Sequence, residues 1–202
     1  MRRSSPLVIA IGALSLAGCN GGTPTPSPAA PEAAPATQGP PPLRDVTAAV
    51  GIDFRYHNGR SDARYMPEIM GAGAALFDAD NDGDLDLYLI QGGPLDDTDV
   101  PRQDRFLRND LSETGTLGFT DVTDAAGIPA TAYGMGVATG DVDGDGNIDL
   151  YLTNLGANVL LRNRGDGTFE DITQAAGAED ALWSVPTTFL DIDGDGDHDL
   201  FV

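Results

Sequence analysis

An all-β fold built from repeated antiparallel units is predicted by three observations. An acidic loop recurs with its aspartates at the same offsets: Asp78, Asp80, Asp82 and Asp86, then Asp141, Asp143, Asp145 and Asp149, then Asp191, Asp193, Asp195 and Asp199. A second motif recurs between the loops, at Asp45–Ile52, Asp121–Ile128 and Asp171–Ala178. Each loop runs straight into a short aromatic and aliphatic segment, Leu-Tyr-Leu-Ile, Leu-Tyr-Leu-Thr or Leu-Phe-Val. Such segments are apolar on both faces and read as strands buried on two sides, not as exiting helices.

The chain opens Met1-Arg2-Arg3 and continues as an apolar run from Leu7 to Ala17. That run is too short to span a bilayer and suits the core of a secretory signal. It ends Leu16-Ala17-Gly18-Cys19, which resembles the lipobox of bacterial lipoproteins. The expectation is a signal peptide over 1–18 and a lipidated Cys19, with the membrane reached through that anchor alone. With Cys19 the only cysteine, no intramolecular disulfide can form. Residues 19–42 follow as a tether: eight of the 23 residues after Cys19 are proline, and such a composition cannot bury a core.

Residues 43–202 carry the repeat. Asp121 and Asp141 are 20 residues apart, as are Asp171 and Asp191. The second and third loops start 50 residues apart and the first and second 63 apart. Those thirteen extra residues are expected in one surface insertion around Gly92–Arg102. A second insertion of the same length is expected near Tyr56–Met66. Within a unit, one strand enters the acidic loop (Ala74–Phe77, Met135–Thr139, Val185–Leu190) and one leaves it (Leu87–Ile90, Leu150–Thr153). A third follows (Arg105–Arg108, Asn158–Arg162), and after a Gly-rich turn a fourth (Thr168–Ile172). The Thr-x-Ala-Ala-Gly segment then reads as one helical turn, with Thr as N-cap and Gly as C-cap. Four short antiparallel strands per repeat is the arithmetic of a β-propeller blade, and the chain holds about three. A β-helix, whose repeats are shorter, is the weaker reading.

The acidic loops have the chemistry of a hard divalent cation. Calcium takes about 6–8 oxygen ligands, and alternate residues of a curling backbone can turn carboxylates inward while a glycine closes the turn. The glycines are Gly83, Gly146 and Gly196 at position 6. Position 7 (Asp84, Asn147, Asp197) is expected to give a backbone carbonyl, which frees its side chain to vary. An EF-hand needs a bidentate Glu at position 12; here that position is Leu89, Leu152 or Val202. One Ca²⁺ per loop, about three in all, is the expectation. The net charge of −21 would fall to about −15 with three ions bound, still acidic enough to repel nucleic acid and anionic headgroups.

Taken together, these loops, the Phe119 and Phe169 units (F-x-D-[VI]-T-x-A-A-G) and Gly51-Ile52-Asp53-Phe54-Arg55-Tyr56-His57-Asn58-Gly59 resemble the FG-GAP/VCBS-repeat proteins, most closely the cartilage-acidic-protein-like branch. The resemblance covers 43–202. It implies a calcium-loaded propeller of seven blades, of which this chain would be an N-terminal fragment.

Histidine is confined to His57 and His198, and no nucleophile motif, phosphate-cradling loop or thiolate cluster occurs. His198 is expected to face away from its loop, and His57, in the first insertion, suits a recognition surface better. The functional expectation is a non-enzymatic, calcium-binding scaffold at the cell envelope or surface, taking a protein or glycan ligand through its insertions. The alternative is an envelope enzyme or enzyme subunit acting on polysaccharide, with its catalytic residues further along the gene.

Overall fold

The two complete repeats form sheets of identical order. The structure, a computed structural model, describes residues 43–96, 103–129 and 132–202. The expected signal peptide, lipidated Cys19 and tether lie outside the described residues, as does 97–102 of the predicted insertion. In the first sheet β1 (Ala74–Phe77), β2 (Asp86–Leu89), β3 (Arg105–Asn109) and β4 (Phe119–Asp121) are hydrogen-bonded in that order, every pair antiparallel. The second repeats this with β5 (Tyr133–Gly140), β6 (Asp149–Leu155), β7 (Val159–Asn163) and β8 (Phe169–Asp171). A third sheet pairs β9 (Thr188–Leu190) with β10 (Asp199–Phe201). The protein is thus mostly β, with three antiparallel sheets consistent with partial propeller blades. Among the described residues no helix is long and apolar enough to cross a membrane.

Register explains where the longer first repeat stores its extra residues. Leu87 pairs with Leu107 while Leu150 pairs with Leu161, so the β2–β3 connection is nine residues longer than β6–β7. Leu107 pairs with Asp121 and Leu161 with Asp171, which puts the other four between β3 and β4. There they form a short helical turn, α2 (Leu111–Thr114); an earlier one, α1 (Pro67–Met70), lies just before β1. The single thirteen-residue insertion expected around Gly92–Arg102 is therefore two insertions, and the second lands on the first acidic loop.

The sheets meet through aromatic and aliphatic side chains that the strands alternate inward. Phe77, Phe106 and Phe169 form a cluster, with Phe106 and Phe169 edge-to-face at 5.5 Å between centroids and Phe77 and Phe106 stacked at 6.0 Å. Rings at these separations gain beyond their buried area. Ile90, Leu150, Leu152 and Leu161 fill the rest of the core. In β6 the six residues Asp149–Asn154 are all buried, as two-sided packing requires. Strand β5 touches both β1 and β9. Glycine lets its neighbours come close: a Cβ on Gly73, just before β1, would lie 3.2 Å from Gly136 Cα, one on Gly134 would meet Ile90 Cγ2 at 2.3 Å, and one on Gly140 the Phe189 ring at 2.8 Å.

The Asp-x-Thr motif is a clamp, not an N-cap. The helical turn α3 covers Thr173–Ala176, so Thr173 is its first helical residue and Ile172 the cap position. Asp171 Oδ1 accepts from both Thr173 N (3.0 Å) and Thr173 Oγ1 (2.6 Å), and that hydroxyl oxygen accepts from Leu160 N at 2.8 Å. Asp121, Thr123 and Phe106 N repeat the arrangement in the first sheet. A residue written as a cap thus ties the turn to the neighbouring strand. Gly177 closes the turn in the left-handed region at φ 66°, as a C-cap glycine does. Trp183 is 43 % exposed and pairs through its backbone with Leu155.

Candidate metal centres

Each acidic loop joins an entering strand to a leaving one, and its first aspartate organises the backbone. Asp141 Oδ1 accepts from Gly144 N (2.8 Å) and Asp145 N (3.1 Å), and its Oδ2 from Gly146 N (2.9 Å). Asp78 accepts from Asp82 N and Gly83 N, and Asp191 from Gly194 N and Gly196 N. A bond from the position-6 glycine to the position-1 carboxylate is common to all three loops. That glycine has positive φ in each: 92° at Gly83, 90° at Gly146 and 101° at Gly196. Position 4 shares the requirement, with Gly144 at 72°, Gly194 at 79° and Asn81 at 61°. The sequence reading passed over this second left-handed position, although two of its three residues are glycine.

The ninth position fixes the loop to the sheet. Asp86 Oδ2 accepts from Ala79 N (2.9 Å) and Oδ1 from Asn109 N (2.8 Å). Asp149 accepts from Val142 N (2.9 Å) and Asn163 N (2.7 Å). Asp199 Oδ2 accepts from Ile192 N at 2.9 Å. Asp86 and Asp149 are fully buried, at 1 % and 0 % exposure.

Positions 1, 3 and 9 converge. Asp78, Asp80 and Asp86 offer carboxylate oxygens that all lie within 4.8 Å of one another, as do Asp141, Asp143 and Asp149, and Asp191, Asp193 and Asp199. These three triads could bind metal ions such as Ca²⁺. The position-5 carboxylates are held within their loops: Asp145 Oδ1 and Asp195 Oδ1 accept from the N–H two residues on, as does Asp82 Oδ1, whose other oxygen accepts from Ser112 Oγ. At position 7, Asp84 Oδ2 accepts from Ser112 N (2.7 Å) and Asn147 Oδ1 from Asn81 Nδ2 (2.9 Å), while the Asp197 N–H is the donor to Asp195.

Electrostatics of the first triad fit a cation. Asp80 Oδ1 is buried with no hydrogen-bond partner among the described residues, and so is Asp84 Oδ1. An unpartnered buried carboxylate oxygen costs several kcal/mol (order of magnitude) unless a charge compensates it. Burial, then the charge of Asp82, pushes the Asp80 carboxyl above its ordinary range. Burial pushes Asp86 up to about 6, against the two backbone N–H groups that pull it down. Asp149 is raised for the same reason. A divalent ion would supply the positive charge that lets these groups ionise together.

His198 is exposed, and its Nδ1 lies 3.2 Å from the backbone oxygen of Asp141 in the preceding loop. Asn163 Nδ2 likewise donates to Ala79 O at 2.8 Å, so the second repeat reaches back onto the first loop. No sequence pattern signalled these contacts between repeats.

Four-stranded antiparallel sheets whose entering and leaving strands are joined by acidic turns define the class: an all-β repeat protein with loops able to hold divalent cations. Within that class, residues 141–202 match the FG-GAP-like repeat family. The first repeat lies outside the matched segment and has the same strand order and the same triad. No curated protein matches the chain.

Proposed function

We propose that the protein is a calcium-binding, non-catalytic scaffold in which each ion pins the turn between two propeller strands and the longer connections recognise a ligand. The observation that carries this reading is the repetition of one triad three times, with a buried unpartnered oxygen, Asp80 Oδ1, inside the first. Asp78, Asp80 and Asp86, and their counterparts in the other loops, would hold the ions. The finer family reading, a seven-bladed propeller of the cartilage-acidic-protein-like branch, fits the four-stranded units and the match over 141–202. The lipobox-like Leu16-Ala17-Gly18-Cys19 supports an extracytoplasmic setting with a diacylated Cys19, where calcium is plentiful.

Melting the protein in excess calcium and in excess EGTA, with calorimetric titration of the stripped protein, tests the metal reading. A large fall in Tm without calcium, and uptake of about three ions (one per loop), is expected. An unchanged Tm with no heat of binding refutes it. Metabolic labelling with a fatty acid, lost in Cys19→Ser, tests the anchor.

A further inference from the structure

The connection before β1 and the described part of the β2–β3 connection meet away from the acidic loops and border an open cavity of about 960 Å³. Its walls include Arg55, Tyr56, His57 and Arg60 from one connection and Gln91 and Arg105 from the other side. The two segments touch backbone to backbone. A Cβ on Gly59, at φ 60°, would lie 2.0 Å from Gly93 O, and one on Gly92 would lie 2.6 Å from His57 O.

The frame is built from polar groups, of which Asp104 and Glu68 are buried. His57 N donates to Gln91 Oε1 (2.8 Å), Gln91 Nε2 donates to Arg55 O (3.1 Å), and Gln91 N donates to Asp104 Oδ1 (2.7 Å). Asp104, fully buried, also accepts from Tyr88 Oη at 2.9 Å. On the other side, buried Glu68 accepts from Ser61 N and Ser61 Oγ, and its backbone oxygen from Asn58 Nδ2. The amides of Gln91 and Asn58 are therefore occupied in shaping the wall.

What the frame leaves to a ligand is cationic. The chain has eleven arginines, no lysine and a net charge of −21. Arg108, Arg162 and Arg164 are ion-paired, and Arg105 is held by Asp121 at 3.3 Å. Arg55 and Arg60 are exposed at the cavity, and among the described residues neither has a carboxylate within ion-pair distance. Glu68 is near enough to Arg60 to interact with it through space without an ion pair. Two guanidinium groups with open N–H donors thus share one concavity of an acidic protein and suit a planar or tetrahedral oxyanion, which arginine grips with paired N–H donors. Asp96 on the same wall, and the acidic surface around it, work against polyanions.

We propose that this cavity binds a small ligand carrying one or two oxyanion groups, carboxylate or sulfate, and no larger than about a disaccharide. This deepens the scaffold reading above and rests on it for the role of the longer connections, although the site shares no residue with the calcium triads.

The test uses the full chain with calcium in excess. Digalacturonate and lactose sulfate are titrated beside the uncharged digalacturonate methyl ester and lactose. Binding of at least one anion and neither neutral sugar is expected, and which anion binds assigns the oxyanion. The double variant Arg55→Gln/Arg60→Gln should weaken that binding by roughly tenfold or more, at an unchanged Tm. The single variant Arg60→Lys, which keeps the charge and loses the fork, should weaken it several-fold. Equal binding of the neutral sugars, no binding of either anion, or full affinity in the double variant would overturn the proposal. A calcium melt run in parallel separates the two readings. An intact calcium shift without anion binding refutes only this site, and anion binding without a calcium shift refutes only the metal reading.

Discussion

The first and second acidic loops carry aspartates at the same four offsets and yet differ in what surrounds them. Over the first loop lies α2, whose Ser112 donates through N to Asp84 and through Oγ to Asp82. The register-equivalent arginines part company accordingly. Arg162 on β7 pairs with Glu170 at 2.7 Å and lies 3.9 Å from Asp143 of its own loop. Arg108 on β3 is drawn to Asp110 (2.9 Å) and Glu113 (3.5 Å) at the start of α2. The first loop is left with two buried, unpartnered carboxylate oxygens, and the second with none among the described residues. A four-residue insertion has thus changed how strongly a shared ligand set needs an external charge.

The largest effect should come where the loops agree. Asp86→Ala and Asp149→Ala each strip two backbone N–H groups of their acceptor at a fully buried site, at a cost of about 2–5 kcal/mol by chemical denaturation. Because those bonds are made by protein atoms, the loss should persist in EGTA. A loss confined to calcium buffer would show that the ion alone holds the position.

Asp80→Asn and Asp143→Asn should then divide the loops by sign. Without calcium, Asp80→Asn removes the charge from a half-buried carboxylate whose Oδ1 has no partner among the described residues, and should stabilise by up to about 1 kcal/mol. Asp143→Asn, which loses a half-exposed partner of Arg162, should be neutral or slightly destabilising. With calcium saturating, both should be destabilising. The same sign for both in EGTA would break the comparison.

A pH series extends this. Asp86, at about 6, and the raised Asp80 and Asp149 hold protons in the calcium-free folded state that the unfolded chain has already released. Their contribution to stability is therefore complete below about pH 4, the unfolded carboxylate range, and is lost as pH rises through about 6. The Tm of the calcium-free protein should fall over that window. With calcium bound the trend should reverse, since protons then compete with the ion.

The smallest effects belong to the covering groups. Ser112→Ala should cost about 1 kcal/mol and act on the first loop alone. Arg162→Gln, at an exposed pair, should cost under about 1 kcal/mol and vanish in high salt.

Strand order and triads were legible because both are periodic. Apolar runs place β1 at Ala74–Phe77 without error, and equal aspartate offsets bring Asp141, Asp143 and Asp149 together. Contacts that couple distant segments left no local trace. The Asn163 bond to Ala79 O spans 84 residues, and the cavity depends on Gly59 meeting Gly93. Thr173 misled because a threonine before a helical turn satisfies the N-cap rule, while its hydroxyl was taken by Leu160 N of a neighbouring strand.

The bare stretches of β5 set a limit on how such a chain can lengthen. Gly134, Gly136 and Gly140 let Ile90, the Val185 carbonyl and Phe189 approach within 3 Å of where a Cβ would stand. A duplicated unit would bring its own aspartates wherever it landed. It would fit only beside neighbours shaped to that clearance, so units in a growing array are expected to diversify together instead of being exchanged singly.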